Sequence, residues 1–225
     1  MLAGVPLTFS AYETAHAETA PFELRGLLLA DRATNVLGSL LAAVVPLINS
    51  ETPQLDAAVK LGMLAVRSLR AEMALLSVGY DAEAHVFQRR LAEVRGYLER
   101  VIHPTNGVQE ARRWLFGQMT KDQAYSGLSQ DVWRALSAPV HADPLAVTDH
   151  LLSVRDDGVI ERSVLPFRNA EKANAYLIRD ARSVRDAALL IAGVAGYQLP
   201  SIAILDSELI PEYERLFGTS DGAGS

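Results

Sequence analysis

The sequence contains no cysteine, which excludes disulfide bonds, thiolate catalysis and cysteine-ligated zinc or iron–sulfur clusters. It also lacks a Gly-x-Gly-x-x-Gly loop, a Walker motif and a Gly-x-Ser-x-Gly turn. Nucleotide-binding α/β folds and α/β-hydrolases are therefore disfavoured. The absence of cysteine fits a protein of the cytoplasm, which is the location that we expect.

Positive charge is also in short supply, since the net charge is −6 and the pI is about 5.4. A general basic field that would attract RNA or anionic lipid is therefore missing. The longest apolar run, residues 27–48, is interrupted by Asp31, Arg32 and Pro46. Because a membrane span needs about 20 residues with almost no charge, we interpret this run as a buried core helix and expect no membrane contact.

Apolar residues are abundant, at 49% of the chain, and they recur at helical spacing. The most regular seam predicts a helix over residues 54–78 and consists of Leu55, Val59, Gly62, Val66, Leu69, Met73 and Leu76. Between residues 61 and 80 the charged side chains are Arg67, Arg70 and Glu72. A helix that is apolar on nearly all sides is typical of the centre of a bundle.

The remaining patterns predict an all-α, single-domain bundle of six or seven helices with a small β-hairpin insertion. Residues 1–20 are expected to be an irregular arm, the bundle to occupy residues 21–217, and residues 218–225 to be a flexible tail. An Asp-Gly turn between β-prone flanks places the hairpin at about residues 151–166. The other predicted helices cover residues 22–47 (with Pro21 at the first helical position), 82–102, 108–119, 130–136, 169–193 and 200–217.

Arg134 and His141 form the first candidate site, with Ser137 between them. An imidazole exchanges protons near neutral pH, and a guanidinium binds phosphate through two hydrogen bonds. Together they would suffice for metal-independent RNA cleavage, with the 2′-hydroxyl as nucleophile. The alternative interpretation is a helix end and a turn in which His141 hydrogen-bonds the backbone.

The segment Arg134-Ala-Leu-Ser-Ala-Pro-Val-His141 resembles the arginine–histidine motif of the HEPN superfamily. That superfamily consists of helical-bundle proteins, common in bacterial toxin–antitoxin and abortive-infection systems, of which many are ribonucleases and many are inactive binders. The chain is also similar, over roughly residues 55–195, to uncharacterised bacterial helical proteins that pair an Arg/Glu-bearing central helix with a later Ser-x3-His segment. Arg67, Glu72, Ser137 and His141 occupy the matching positions.

Arg67, Arg70 and Glu72 form the second candidate site, on the predicted central helix. Glu72 would orient Arg134 or His141 if the three were brought together. The alternative is an internal salt bridge that sets the register of the helices. No metal or cofactor is expected, because Glu83 and His85 have the wrong spacing to bind a metal from one helix face.

Two functional hypotheses follow. In the first, the protein is a HEPN-like defence or toxin component, a metal-independent endoribonuclease that uses Arg134 and His141 with support from Arg67, Glu72 and Ser137. In the second, it is a non-catalytic helical module that binds a protein partner or a small ligand. The expected partners are a second copy of the chain, an antitoxin or another protein, whereas the acidic pI does not favour RNA.

Overall fold

Seven α-helices make up most of what the computed structural model describes, namely residues 9–119, 152–154, 160–162 and 169–218. In chain order they are α1 (Phe9–Glu23), α2 (Arg25–Val44), α3 (Pro53–Val78), α4 (Asp81–Val101), α5 (Gly107–Leu115), α6 (Ala170–Ala195) and α7 (Ile202–Phe217). A 3₁₀ turn, Val45–Leu47, follows α2. The prediction of an all-α bundle is confirmed, and one hydrophobic core includes residues of all seven helices.

The central helix of the bundle is α3, which packs against α1, α2, α4, α5 and α6. Pro53 occupies its first turn, where a missing N–H costs nothing. Gly79 ends it in the left-handed conformation, with φ of 91°. The predicted helix over residues 54–78 and its central position are thus confirmed.

Close packing of α3 against two other helices depends on Gly62. A Cβ atom at this position would lie 2.8 Å from Ile191 Cδ1 on α6 and 2.9 Å from Leu41 Cδ2 on α2. Protein interiors have little spare volume, so a larger side chain would force the Leu41 and Ile191 side chains to shift within the packed core.

We expect Gly62→Val to lower the free energy of unfolding by about 1–3 kcal/mol through overpacking. Gly38→Val is the matched control, because a Cβ at Gly38 in α2 would meet nothing within 4 Å. Urea denaturation of both variants measures the difference. Equal effects at the two positions would contradict the close approach at Gly62.

The beginning of the chain differs from the prediction. The expectation that residues 1–20 are irregular is wrong from Phe9 onward, because α1 begins there. Pro21 lies inside α1, not at the start of the next helix, and the break falls at Leu24. Leu24 is buried at this break, and its N–H donates to Ala20 O.

The apolar run at residues 27–48 forms most of α2, which packs mainly against α6 and α3. Its buried face includes Leu29, Leu37 and Leu41. By length and composition alone, Arg25–Leu47 also meets the requirements for a membrane span, with 44% of the relevant window buried inside the protein. The location of the protein therefore stays a prediction.

Two short strands lie in the region where the sequence predicts a hairpin. Leu152–Val154 (β1) and Ile160–Arg162 (β2) pair antiparallel, with Ser153 opposite Glu161. The residues that join them are outside the described part of the chain, so the Asp-Gly turn stays a prediction. The helix predicted over residues 130–136 and the tail from residue 219 are also outside it.

Candidate functional site

The predicted site residues do not all lie in the part of the chain that the structure describes. Arg134, Ser137 and His141 are outside the described residues, so their proposed roles stay predictions. Arg67 and Glu72 are both on α3, where Arg67 is exposed and Glu72 is completely buried. The structure therefore does not bring these two side chains together.

Arg70, the third member of the predicted cluster, is on the surface and connects α3 to α2. Its Nη1 lies 2.7 Å from Asp31 Oδ1, and its Nη2 donates to Asn35 Oδ1 at 3.0 Å. Both partners are partly exposed, and exposed ion pairs contribute little to stability. Arg70 thus has a surface contact of its own, away from Glu72.

Glu72 belongs instead to a buried polar cluster between α3, α4 and α6. Gln88 on α4 donates from Nε2 to Glu72 Oε1 at 3.0 Å. Asp180 on α6 lies close enough for its charge to act on Glu72, and 3% of its surface is exposed. Arg179 binds Asp180 through two hydrogen bonds, Nε to Oδ1 at 2.8 Å and Nη2 to Oδ2 at 3.0 Å.

The two carboxyl groups of this cluster lie close together in a buried site, and like charges placed in this way disfavour the ionisation of one of them. Burial raises the pKa of Glu72 well above its usual range, and the negative charge of Asp180 raises it further. Burial lowers the pKa of Arg179, but the carboxylate of Asp180 outweighs this and raises it overall. Glu72 is therefore the neutral acid, and Asp180 with Arg179 is an ion pair.

A second group of side chains extends the cluster toward the start of α6. His85 on α4 is buried, and its ring lies edge-on to Tyr176, with 5.2 Å between the ring centroids. The guanidinium carbon of Arg179 is 5.4 Å from the centroid of the Tyr176 ring, and burial raises the pKa of Tyr176. Asp81 Oδ2 accepts from the N–H of Asn169, the residue that precedes α6.

The buried polar cluster connects α3, α4 and α6 and so sets the register of these three helices. Glu72, Gln88 and Asp180 come from three helices, and at most 3% of any of their surfaces is exposed. A substrate could not reach these groups without opening the bundle. No group of three or more metal-binding side chains occurs among the described residues.

Sequence reasoning missed Gln88, Asp180 and Arg179 as partners of Glu72. A signal was present, because Asp180 occupies a position on the apolar stripe of α6, between Leu177 and Val184. A charged residue on a stripe of this kind must find a buried partner. The alternative interpretation of this candidate site was an internal salt bridge, whereas the described contact of Glu72 is a hydrogen bond from Gln88 and the ion pair of the cluster is Arg179 with Asp180.

A solvent-open groove lies between the end of α1, the start of α2 and the end of α3. Its volume is about 870 Å³. Its walls are mostly apolar and are formed by Pro21, Phe22, Leu24, Arg25, Leu27, Leu28, Asp31, Arg70, Met73, Ala74 and Ser77. We call it the α2–α3 groove.

Two apolar side chains of the α2–α3 groove point to solvent. Phe22 is 89% exposed and Leu28 is 54% exposed. Charged groups stand at the rim, where Arg25 Nη1 lies 2.7 Å from Glu212 Oε1 and Arg70 pairs with Asp31. The groove thus has an apolar floor with charges of both signs around it.

Comparison with known proteins identifies no relative. No protein-family model, no curated protein and no solved structure matches this chain. The resemblance to HEPN proteins stays a prediction, and function is inferred from the geometry of the described residues.

Proposed function

We propose that the protein is a non-catalytic helical module that binds a protein partner in the α2–α3 groove. The observation that carries this proposal is the combination of an apolar groove of about 870 Å³ with Phe22 standing almost fully exposed at its edge. Apolar grooves between helices are a common place for a partner protein to bind. Exposed apolar side chains beside such a groove would lose their contact with water on binding.

The open shape of the groove favours a protein over a small ligand. A pocket for a small molecule buries most of the ligand surface, which requires walls on nearly every side. Here Phe22 and Leu28 project away from the floor, so they would contact an occupant larger than the groove itself. The surface of a partner protein is large enough to fill the groove and to contact both side chains.

The buried polar cluster supports the non-catalytic part of the proposal. Glu72, which with Arg67 is one of two described residues that the nuclease hypothesis assigns a supporting role, is enclosed by Gln88 and Asp180. A neutral carboxyl group that is buried in the core cannot contact the phosphate of an RNA substrate or accept a proton from it. The contacts of Glu72 with neighbouring helices explain why a glutamate lies in the core, and no role in catalysis is needed.

The proposal is tested by introducing a photo-crosslinking amino acid at Leu28 in cells that express the chain. We expect a covalent adduct with one protein, mapped to one apolar segment of it, because Leu28 lies in the groove wall. Adding Ala74→Arg to the same chain should abolish the adduct by filling the groove. The control position is Leu189, which is 38% exposed on α6 and outside the groove.

Two results would contradict the proposed function. One is the same set of adducts from positions 28 and 189, or no adduct at all. The other is cleavage of a labelled RNA by the purified wild type that a folded His141→Ala variant has lost. The second result would favour the endoribonuclease hypothesis.

A further inference from the structure

A smaller depression, of about 370 Å³, is formed by α5 and the turns at its two ends. We call it the α5 pocket. Its lining combines two arginines, three side-chain amides and a phenylalanine, namely Asn106, Gln109, Arg112, Arg113, Phe116 and Gln118. None of the described lining residues is acidic, although the chain as a whole has a net charge of −6. The pocket is therefore a local cationic site in an acidic protein.

The two arginines of the α5 pocket differ in what they contact. Arg113 Nη1 lies 2.9 Å from Glu110 Oε1, which holds this side chain in place. The side chain of Arg112 is exposed, and within the described ranges it has no hydrogen-bond or ion-pair partner. A guanidinium presents paired N–H donors in one plane, a geometry that fits two oxygens of a phosphate. Arg112 is thus available to an anion from solution.

Phe116 lies one helical turn beyond Arg112. Its N–H donates to Arg112 O at 3.0 Å, and residues four apart in a helix have neighbouring side chains. The ring is 76% exposed, and it makes no ring contact in the part of the chain that the structure describes. Single exposed apolar residues are common and need no explanation. An open ring beside an unpaired guanidinium is different, because sites for single-stranded nucleic acid combine a stacking ring with a cation.

We propose that the α5 pocket binds one nucleotide, with its phosphate on Arg112 and its base stacked on Phe116. The amides of Gln109 and Gln118 each offer a donor and an acceptor, which are the groups that the edge of a base requires. The volume of the pocket is within the range of small-molecule sites. An acidic peptide would use the guanidinium but would leave the face of the ring without a partner.

The nucleotide has two possible sources, a free mononucleotide and one unit of a single strand. Both present the same phosphate and base, so the pocket chemistry is shared. The α5 pocket is also separate from the α2–α3 groove. Gly107, at the start of α5, lies against Gln54 at the start of α3, whereas the groove lies at the other end of α3, roughly 30 Å away. This inference therefore goes beyond the proposed function and does not depend on it.

Fluorescence anisotropy with a labelled single strand of about ten 2′-O-methyladenosine units tests the inference. This strand has no free 2′-hydroxyl, so cleavage cannot change the signal. The wild type should bind it, and Arg112→Gln should weaken binding by about tenfold. The slope of log K against log salt concentration should fall by about one phosphate contact in this variant.

The matched control for charge is Arg67→Gln. Arg67 is exposed on α3, is absent from the lining of the α5 pocket and, like Arg112, has no ion-pair partner among the described residues. The two variants change the net charge equally, so a difference between them reports the position of Arg112. Equal losses of binding would overturn the inference.

Phe116→Ala should weaken binding by about fivefold or more through the loss of stacking, whereas Phe116→Trp should retain it. Phe22→Ala is the matched control, because Phe22 is also highly exposed, at 89%, and lies in the other groove. It should bind like the wild type. All of these positions are exposed, so the variants should fold normally.

Titration with AMP, followed by NMR, distinguishes the two sources. Equal affinity for AMP and the strand indicates a free nucleotide, and a strand that binds about tenfold more tightly or better indicates a single-stranded nucleic acid. Absence of binding to both ligands up to about 1 mM would overturn the inference. Equal binding of poly-aspartate, which has negative charge without bases, would also overturn it.

Discussion

Asp180→Ala is expected to lower the free energy of unfolding by about 3 kcal/mol. The substitution removes the acceptor of two hydrogen bonds from Arg179 and the partner of the Glu72 carboxyl group. About a third of the Arg179 side chain is exposed, so water compensates for part of the loss. Chemical denaturation monitored by circular dichroism measures the change.

Asp186→Ala on the same helix is the control for this experiment. Asp186 accepts a hydrogen bond from Arg185 at 2.8 Å, and Arg185 would keep its second partner, Asp206. Because Asp186 is 26% exposed over its side chain, we expect a cost below about 1 kcal/mol. A similar loss for both variants would show that the buried position of Asp180 has no special importance.

Glu72→Gln is expected to make the protein more stable than the wild type at neutral pH and equally stable near pH 4. Burial, with the nearby charge of Asp180, raises the pKa of Glu72 in the folded state above the ordinary value of 4.5. Between these two pKa values the folded state holds a proton that the unfolded state has lost. Wild-type stability therefore falls as pH rises through that window, by at most about 1.4 kcal/mol per pH unit from this group.

Glutamine cannot ionise, so the Glu72→Gln variant lacks this fall. Its amide has nearly the shape of the protonated carboxyl group and, like that group, carries one acceptor and one donor side. Free energies of unfolding measured from pH 4 to pH 8 should therefore diverge in favour of the variant. A difference that is constant with pH would contradict the assignment of Glu72 as a neutral acid.

Glu110→Gln is a control for which the expected change in stability with pH has the opposite sign. Burial raises the pKa of Glu110, but Arg100 and Arg113 outweigh it with hydrogen bonds of 3.0 Å and 2.9 Å and lower the pKa overall. The ionised form thus stabilises the fold above the unfolded-state pKa, and this contribution is lost as pH falls. Glu110→Gln should therefore be less stable than wild type at neutral pH, with a difference that shrinks in acid.

Together these variants separate a structural from a catalytic Glu72. If Glu72→Gln preserves or improves stability, the fold requires the hydrogen-bonding capacity of this side chain and not its negative charge. If RNA cleavage were found and Glu72→Gln left it unchanged, the supporting role predicted for Glu72 would be wrong.

Local patterns were sufficient to predict much of the helical architecture. The three-and-four spacing from Leu55 to Leu76, with Pro53 before it and Gly79 after it, predicted α3 almost to the residue. These signals are local, because helical periodicity and end-capping depend on neighbouring residues. The same reasoning failed at Pro21, which lies inside α1, and the break between α1 and α2 falls at the buried Leu24.

The candidate site could not be predicted in the same way. The sequence indicated that Glu72 would need a buried partner, but it offered Arg134 or His141 for this role, with a salt bridge within the group of Arg67, Arg70 and Glu72 as the alternative. Gln88 and Asp180 became its partners because α4 and α6 pack on the same side of α3.

By itself, the sequence determined the helical class, the position of α3 and the exclusion of cysteine chemistry. The tertiary structure decided which charges meet in the core, that Arg67 and Glu72 point apart, and that Phe22 stands beside an apolar groove. The physical reason is the distance along the sequence over which each kind of interaction acts. Periodicity and capping act within a few residues, whereas a buried hydrogen bond or a groove requires side chains that are distant in sequence to be placed by helix packing.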